Sequence, residues 1–344
     1  MDALIISIET FLAAALRQAA PLTLAGIGVA YAEKAGILNI GEEGIMLGGA
    51  FGGFIVAYFT NSLGLGLLGG ILGGLFIAMI HGLMSIRFRA NQTIVGLARN
   101  FFATGFTSFL FLLAFGKGSS LPSISKFTPI SIPVLSQIPV IGAFFRQNVQ
   151  VYILYVAVII SCIIFYKTEW GVNLTAVGES PRAADNAGLH VYRVRYLTCA
   201  VNGIMGGLGG AYITLGQLGY FQEDIISGKG YIALVAVILG RRNPFLILLS
   251  AMLIGFADSL QFTLQAKGVP LPTQAFSMFP YLVAVLVLLF SIGKNVDPAT
   301  HGIPYERDKR LLPWQSKNIT TSVNSAICSA STPKRCTTTI ILAC

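Results

Sequence analysis

Long apolar runs recur along the chain, and short polar connections separate them. A helix that spans a membrane needs about 20 mostly apolar residues, and several of the runs reach that length. None of them shows the two-residue alternation of a barrel strand, so helices are predicted. The predicted fold class is all-α, a polytopic transmembrane bundle of about eight to ten spans that includes broken or re-entrant helices. The candidate spans are 11–31, 40–60, 66–86, 94–115, 150–166, 196–217, 246–266 and 277–293.

The composition places most of the chain in lipid. Apolar residues make up 54% of the 344 residues and charged residues only 11%, whereas soluble domains carry about 25% charged residues. The net charge is +9, but the basic residues lie in short connections without interleaved aromatic residues. A nucleic-acid partner is therefore not expected. The composition instead predicts a multi-pass protein of the cell membrane.

The positions of Lys and Arg predict the orientation, because short cytoplasmic loops are enriched in them. Residues 87–93 and 167–195 are basic connections and are placed in the cytoplasm, with Arg99 counted at the same face. The N-terminus is then outside, and 116–148 is the largest outer loop. A transmembrane domain is predicted over 1–293, followed by a cytoplasmic tail.

The tail, 294–344, is rich in Ser, Thr, Asn and Lys and shows no hydrophobic periodicity. Such a composition is typical of disorder, and no function is assigned to it. Glycines spaced by four in several spans predict close packing between helices. These glycines are Gly44, Gly48 and Gly52, then Gly66, Gly70 and Gly74, and finally Gly203, Gly206, Gly207 and Gly210.

Two regions share a pattern of a small-residue helix, a polar break and a second helix. The first is 24–54, with its break between Glu33 and Glu43, and the second is 203–240. The last part of the second region, about 229–240, is too short to span a membrane and predicts a half-helix. In the predicted topology the two leading helices run in opposite directions, which is the pattern of an inverted repeat.

The first break contains carboxylates and glycines within apolar sequence. Carboxylates at the bilayer centre cost about 2.5–3.5 kcal/mol on insertion scales, and they persist where they face a water-filled cavity or a partner. One interpretation is a translocation pathway lined by Asn39, Glu42 and, from a neighbouring span, Asn100. The alternative is an ordinary cytoplasmic loop with both glutamates in water.

The cytoplasmic stretch of about 170–190 contains the signals of a short helix. Ser180 is a candidate N-cap, Pro181 suits a first turn, and Gly188 suits a helix end. A mixed-charge helix of this kind could dock into a cleft on a cytoplasmic partner. A solvated loop is the alternative interpretation.

Three stretches in this order resemble the hallmark segments of one family, the permeases of branched-chain amino acid and ribose type ATP-binding-cassette (ABC) importers. They are 35–44, 178–188 and 228–234. The resemblance is nearest to the bacterial subgroup that takes up nucleosides with a basic-membrane-protein type lipoprotein receptor. It covers about residues 15–300 and departs after about 311.

The resemblance implies a transport subunit that translocates a small polar solute. It also implies three protein partners: a cytoplasmic ATP-binding subunit, a second permease subunit that is identical or different, and an extracytoplasmic substrate-binding lipoprotein. The ATP-binding subunit would dock on the segment about 178–189, called the coupling segment below. Its candidate contact residues are Gly178, Glu179, Ser180, Pro181, Arg182, Ala184, Asp185 and Gly188.

The chain carries no phosphate-binding loop of its own. Gly228-Lys229-Gly230 and Gly116-Lys117-Gly118 both fail the Walker A spacing, so no cofactor is expected and ATP would be hydrolysed by a partner. The alternative function is an ion-coupled secondary transporter that uses Glu42 or Asp258. A membrane-embedded enzyme is disfavoured, because no His cluster, Ser–His pair or carboxylate pair supports it.

Overall fold

The structure is a computed structural model that describes residues 2–116, 122–133, 136, 138, 141–266, 268, 272–290 and 297–307. Two compact units divide the chain, Met1–Pro304 and Tyr305–Cys344. The first unit contains every helix and strand described below. The second is described only at residues 305–307, so the predicted disorder of the tail falls outside the described residues.

The first unit is a helical bundle, as predicted. Twelve α-helices are described, together with two π-helical turns and one 3₁₀ turn. The α-helices are α1 (Asp2–Lys34), α2 (Glu42–Thr60), α3 (Leu63–Gly82), α4 (Gln92–Phe115), α5 (Val149–Lys167), α6 (Glu169–Glu179), α7 (Pro181–Asn186), α8 (Val191–Ala211), α9 (Lys229–Leu239), α10 (Pro244–Ala266), α11 (Thr273–Ser277) and α12 (Phe279–Phe290). The π-helical turns are Leu83–Arg87 and Tyr212–Leu218, and the 3₁₀ turn is Ile141–Phe145.

Six described helices are long and apolar enough to cross a membrane. They are Ile8–Lys34, Glu42–Thr60, Leu63–Arg87, Gln92–Phe115, Val149–Lys167 and Pro244–Ala266. The predicted span 196–217 corresponds to α8 and the π-helical turn after it, and α8 is less apolar than the six. The predicted span 277–293 corresponds to α12, and residues 291–293 lie outside the described part.

The middle of the bundle is α1, which packs against α8, α9 and α10. The opposite side of α8 packs against α2 and α3, and these three glycine-rich helices approach one another at very short backbone distances. This confirms the predicted glycine packing. A Cβ added at Gly210 would overlap the carbonyl oxygen of Met46, and one added at Gly207 would lie 3.1 Å from the Cα of Gly74. Only glycine permits helix backbones to approach this closely.

The outer surface of the bundle is apolar. Large side chains of α3 and α4 point away from the bundle, and Phe101 is 78% exposed. A surface of this kind is stable in lipid and is typical of a membrane-spanning bundle.

The described residues between 122 and 148 form an irregular cap on one end of the bundle, where the backbone N–H groups of Ile124 and Phe127 donate to the carbonyl oxygens of Gly219 and Leu215. A two-residue antiparallel pairing of β1 (Ile130–Ser131) with β2 (Arg146–Gln147) ties it together. The hydroxyl of Tyr152 at the start of α5 donates to the carbonyl oxygens of Ile130 and Phe145, at 2.9 and 2.8 Å. The part of the predicted outer loop that is described is therefore ordered against the helices.

Both predicted breaks are present in the fold. The first lies between the end of α1 at Lys34 and the start of α2 at Glu42. The second lies between the π-helical turn that ends at Leu218 and the start of α9 at Lys229. The half-helix predicted over about 229–240 is α9, whose 11 residues span about 16 Å at 1.5 Å per residue.

Candidate functional site: a polar cluster between two broken helices

The two breaks meet at the carboxylate of Glu43. Its two oxygens accept hydrogen bonds from the backbone N–H groups of Gly228 and Gly230, both at 2.7 Å. Those N–H groups belong to the first turn of α9, where a helix has no internal acceptors for them. A carboxylate at this position also interacts favourably with the positive end of the helix dipole. Glu43 therefore supplies, from α2, the cap that α9 lacks in its own sequence.

This junction lies deep within the bundle. The end of α9 adjoins Arg242, which pairs with Glu33 at the end of α1. The start of α9 is thus about 16 Å away from the end of the bundle that carries α6 and α7. Helix α9 is therefore too short to cross the hydrocarbon core of a bilayer, which is about 30 Å thick. The first break, 35–41, is called the re-entrant segment below. Glu42 and Glu43 are buried, so the alternative of a loop with both glutamates in water is wrong, and the translocation pathway stays a prediction.

A second set of bonds joins the re-entrant segment to α4. Nη2 of Arg99 donates to Oδ1 of Asn39 at 2.5 Å, and Nδ2 of Asn39 donates to the Glu42 carboxylate at 2.7 Å. The amide of Asn39 therefore bridges a guanidinium and a carboxylate of opposite charge. All three side chains are almost completely buried. Buried charges are stable only when they are paired and hydrogen-bonded. Here each charge is bonded to Asn39, while Oε1 of Glu42 and Nε of Arg99 have no hydrogen-bond partner among the described residues.

Helix α8 closes the other side of this cluster. Asn202 of α8 is buried on this side of the cluster and is only 3% exposed. One turn further along, a Cβ added at Gly206 would overlap a carboxylate oxygen of Glu42. The absence of a side chain at Gly206 thus makes room for a buried carboxylate between α2 and α8.

Asn100 connects the cluster to α9. Its Oδ1 accepts from the backbone N–H of Gly44 at 2.9 Å, and its Nδ2 donates to the hydroxyl of Tyr231 at 2.9 Å. The three predicted pathway residues, Asn39, Glu42 and Asn100, therefore lie together at the start of α2. In this state they are buried against one another.

Aromatic rings fill the space on the far side of the cluster. Phe54 lies 12 residues beyond Glu42 on α2, which corresponds to about 18 Å. Neighbouring ring centroids in the set are 4.9–6.5 Å apart, which is the range of favourable aromatic contacts. These rings join α2, α4 and the second break. They belong to Phe51, Phe54, Tyr58, Phe111, Phe115 and Phe221.

The predicted coupling segment contains the last two residues of α6, Gly178 and Glu179, and the whole of α7. Pro181 begins α7 and Gly188 follows it with φ +92°, as the sequence predicts. Ser180 is the N-cap residue, but its side chain makes no capping hydrogen bond. The backbone of Gly178 lies against the carbonyl oxygen of Lys34, so that a Cβ there would overlap it.

The remaining candidate contact residues divide between surface and interior. Glu179 and Arg182 are exposed, Asp185 is half-buried, and Pro181 and Ala184 are buried against the bundle. The segment therefore presents charged side chains outward from a helix that is anchored by apolar ones.

Two residues of the cluster, Arg99 and Glu43, were not predicted as site residues from the sequence. Arg99 was counted with the cytoplasmic loop cations, but it is the eighth residue of α4 and is only 3% exposed. Glu43 was given no role distinct from that of Glu42. The signal for Arg99 was its position inside a candidate span, since an ionisable residue in a span is by default a functional candidate.

Comparison with known proteins decides the family. The chain matches the family described as "Branched-chain amino acid transport system / permease component" over residues 11–288. The chain belongs to this permease family. The resemblance seen in the three hallmark stretches is thereby confirmed, and the permease is a multi-pass membrane protein of the ABC importer type. The alternative of an ion-coupled secondary transporter is set aside.

Curated relatives cover most of the permease. The guanosine ABC transporter permease protein NupQ of Bacillus subtilis is 37% identical, over 86% of this chain and 96% of the relative. The nucleoside ABC transporter permease protein NupC of Lactococcus lactis is 31% identical, over 88% and 98%. The glucose ABC transporter permease protein TsgB13 of Haloferax volcanii is 28% identical, over 69% and 65%.

A solved structure supports the fold. A metal-chelate type ABC transporter in an inward-facing conformation matches with a TM-score of 0.50 and 16% identity, over 81% of this chain and 85% of that chain. At this identity the match shows the architecture alone. The match supports the helical-bundle architecture described above.

Proposed function

We propose that this permease translocates nucleosides in an ABC importer. The observation that carries the proposal is the similarity to NupQ and NupC, whose names specify guanosine and nucleosides and which align over nearly their whole lengths. A hexose is the second candidate, because TsgB13 is named for glucose. Ribose and glucose share a ring of hydroxyl groups, so amide and carboxylate side chains suit either solute.

The proposed path runs along α2, α4 and α9 past Asn39, Glu42 and Asn100. Their amides and carboxylate offer donors and acceptors to ribose hydroxyls and to the edges of a base. Because these groups are now bonded to one another, the path is closed in this state. Alternating access would require the broken helices to separate, and the aromatic rings beyond the cluster would then close or open the opposite side.

The partners proposed are those the family organisation implies. A separate ATP-binding subunit would dock on the coupling segment and hydrolyse ATP. A second permease subunit, identical or different, would complete the pathway, and an extracytoplasmic lipoprotein would deliver the solute. The orientation proposed places α6, α7 and the C-terminus in the cytoplasm, consistent with the basic connections 87–93 and 167–195.

Reversal of one exposed charge on the coupling segment tests the docking site. We expect Arg182→Glu to reduce the amount of co-purifying ATP-binding subunit by about tenfold, because like charges placed across an interface oppose association. The measurement is a pull-down in mild detergent from cells that express the tagged permease with its ATP-binding subunit. The co-purified ATPase activity is assayed alongside the protein bands.

The matched control is Lys167→Glu, which makes the same charge change at an exposed position 15 residues earlier. This variant should retain the native amount of the ATP-binding subunit. Both variants must elute as the native permease does in size-exclusion chromatography. Native co-purification with Arg182→Glu, or a loss confined to Lys167→Glu, would place the docking site elsewhere.

A further inference from the structure

The last described residues of the first unit, 297–304, cross the end of the bundle that carries α6 and α7. They are called the strap below. A turn at its centre is closed by the backbone N–H of His301, which donates to the carbonyl oxygen of Pro298 at 3.0 Å. Pro298 is buried, although the strap lies outside every helix. The strap therefore has a defined conformation against the bundle.

The strap is bonded to the coupling segment at three points. The backbone N–H and the hydroxyl of Thr300 both donate to the carbonyl oxygen of Gly178, at 3.1 and 2.5 Å. The backbone N–H of Ala299 donates to the carboxylate of Glu179 at 3.3 Å. These bonds satisfy acceptors at the C-terminal end of α6, where helix carbonyl groups have no internal donors.

The same strap is bonded to the start of the re-entrant segment. The backbone N–H of Gly302 donates to the carbonyl oxygen of Gly36 at 3.1 Å. Arg195 of α8 reinforces this contact, since its Nη1 donates to the carbonyl oxygen of Ile303 and its Nε to that of Ala35, both at 3.2 Å. Arg195 is only 2% exposed, so both bonds are shielded from water.

An ion pair holds the beginning of the strap. Asp297 pairs with Arg242, and Nε of Arg242 in turn donates to the Glu33 carboxylate at 2.7 Å. Burial, with the nearby positive charge of Arg242, lowers the pKa of His301 below its usual value, while the negative charge of Asp297 opposes the shift. The strap is thus fixed to the ends of α1 and α9 by the Asp297 pair.

We propose that the strap is a positioning element that transmits movement of the coupling segment to the re-entrant segment. Within three consecutive residues, Thr300 is bonded to Gly178 of the coupling segment and Gly302 is bonded to Gly36 of the re-entrant segment. Gly36 is three residues before Asn39, whose side chain bridges Arg99 and Glu42. A displacement of the coupling segment by a few ångströms would therefore be carried to the polar cluster through main-chain bonds, since such bonds resist lengthening.

The inference rests on the proposed function, and Thr300 is the residue that tests it. Thr300→Val keeps the shape of the side chain and removes the hydroxyl that donates to Gly178. Thr300→Ser keeps the donor and is the matched control. The measurement is made on the complete importer in proteoliposomes, as the number of ATP molecules hydrolysed per nucleoside accumulated.

We expect Thr300→Val to retain the complex and its ATPase rate while the ATP used per nucleoside rises about two- to tenfold, the range that corresponds to one hydrogen bond. Thr300→Ser should match the native ratio. If Thr300→Val does not assemble, Asp297→Asn gives the same readout, because it removes the charge that holds the beginning of the strap while Arg242 keeps its ion pair with Glu33.

An unchanged ratio in the assembled variant would overturn the proposal. So would a fall in ATPase and uptake by the same factor, which would show a structural role alone. A native complex without ATP-dependent uptake would contradict the proposed function instead, and the two failures are therefore distinguishable.

Discussion

Replacement of Glu43 by alanine is expected to destabilise the permease by about 2–6 kcal/mol and to abolish uptake. The change leaves the N–H groups of Gly228 and Gly230 without an acceptor, and each buried unpaired group costs about 1–3 kcal/mol. The measurement is thermal unfolding in detergent together with uptake in proteoliposomes. Glu43→Gln retains one amide oxygen, so it should fall between the alanine variant and the native protein.

The matched control is Glu223→Ala, which removes an exposed carboxylate from the second break, the one whose backbone Glu43 contacts. Its stability and uptake should remain native, because the free energy of unfolding rarely changes by more than about 0.5 kcal/mol at exposed positions of this kind. Equal effects of Glu43→Ala and Glu223→Ala would contradict the capping role assigned to Glu43.

The second large effect is expected at Arg99. Arg99→Met keeps a long apolar side chain but leaves the buried carboxylate of Glu42 without its nearest positive charge. Removal of one partner of a buried charge pair costs about 3–5 kcal/mol, so the folded variant should be scarce in the membrane. The measurement is the yield and unfolding temperature of the tagged protein. Arg193→Met, at an exposed position on α8, should be close to native.

A double variant separates charge compensation from packing. If the cost of Arg99→Met arises from the uncompensated carboxylate, then Glu42→Gln in the same chain should recover part of the stability. The interaction energy of the double-mutant cycle should then favour the native pair. Additive effects of the two changes would show that Arg99 stabilises the bundle by packing alone.

The broken helices were predictable because their signals are local. Apolar runs are interrupted by Gly, Asn and Glu between Glu33 and Glu43, and the stretch of about 229–240 is too short to span a membrane. The structure places a re-entrant segment at the first position and the half-helix α9 at the second. Pro181 and Gly188 likewise predicted where α7 begins and where the chain leaves it.

The partners of the site residues were not predictable from one sequence. Glu43 caps a helix that begins 186 residues later in the chain, and no local pattern specifies such a contact. Arg99 was assigned to the cytoplasmic face because charge counting treats every Arg near the end of a span as a loop residue. The strap was missed because residues 297–304 carry no periodicity, and their position depends on main-chain bonds that any sequence could offer.

Measurement of which solutes the complete importer takes up is the most direct test of the proposal that this permease translocates nucleosides. The permease, its partner permease, the ATP-binding subunit and the lipoprotein are reconstituted in proteoliposomes, and uptake of labelled guanosine, uridine and glucose is measured with and without ATP. We expect ATP-dependent uptake of the nucleosides, with glucose near background. Uptake of glucose in preference to both nucleosides would contradict the assignment of the substrate, and nucleoside uptake by the permease alone down an ion gradient would contradict the mechanism.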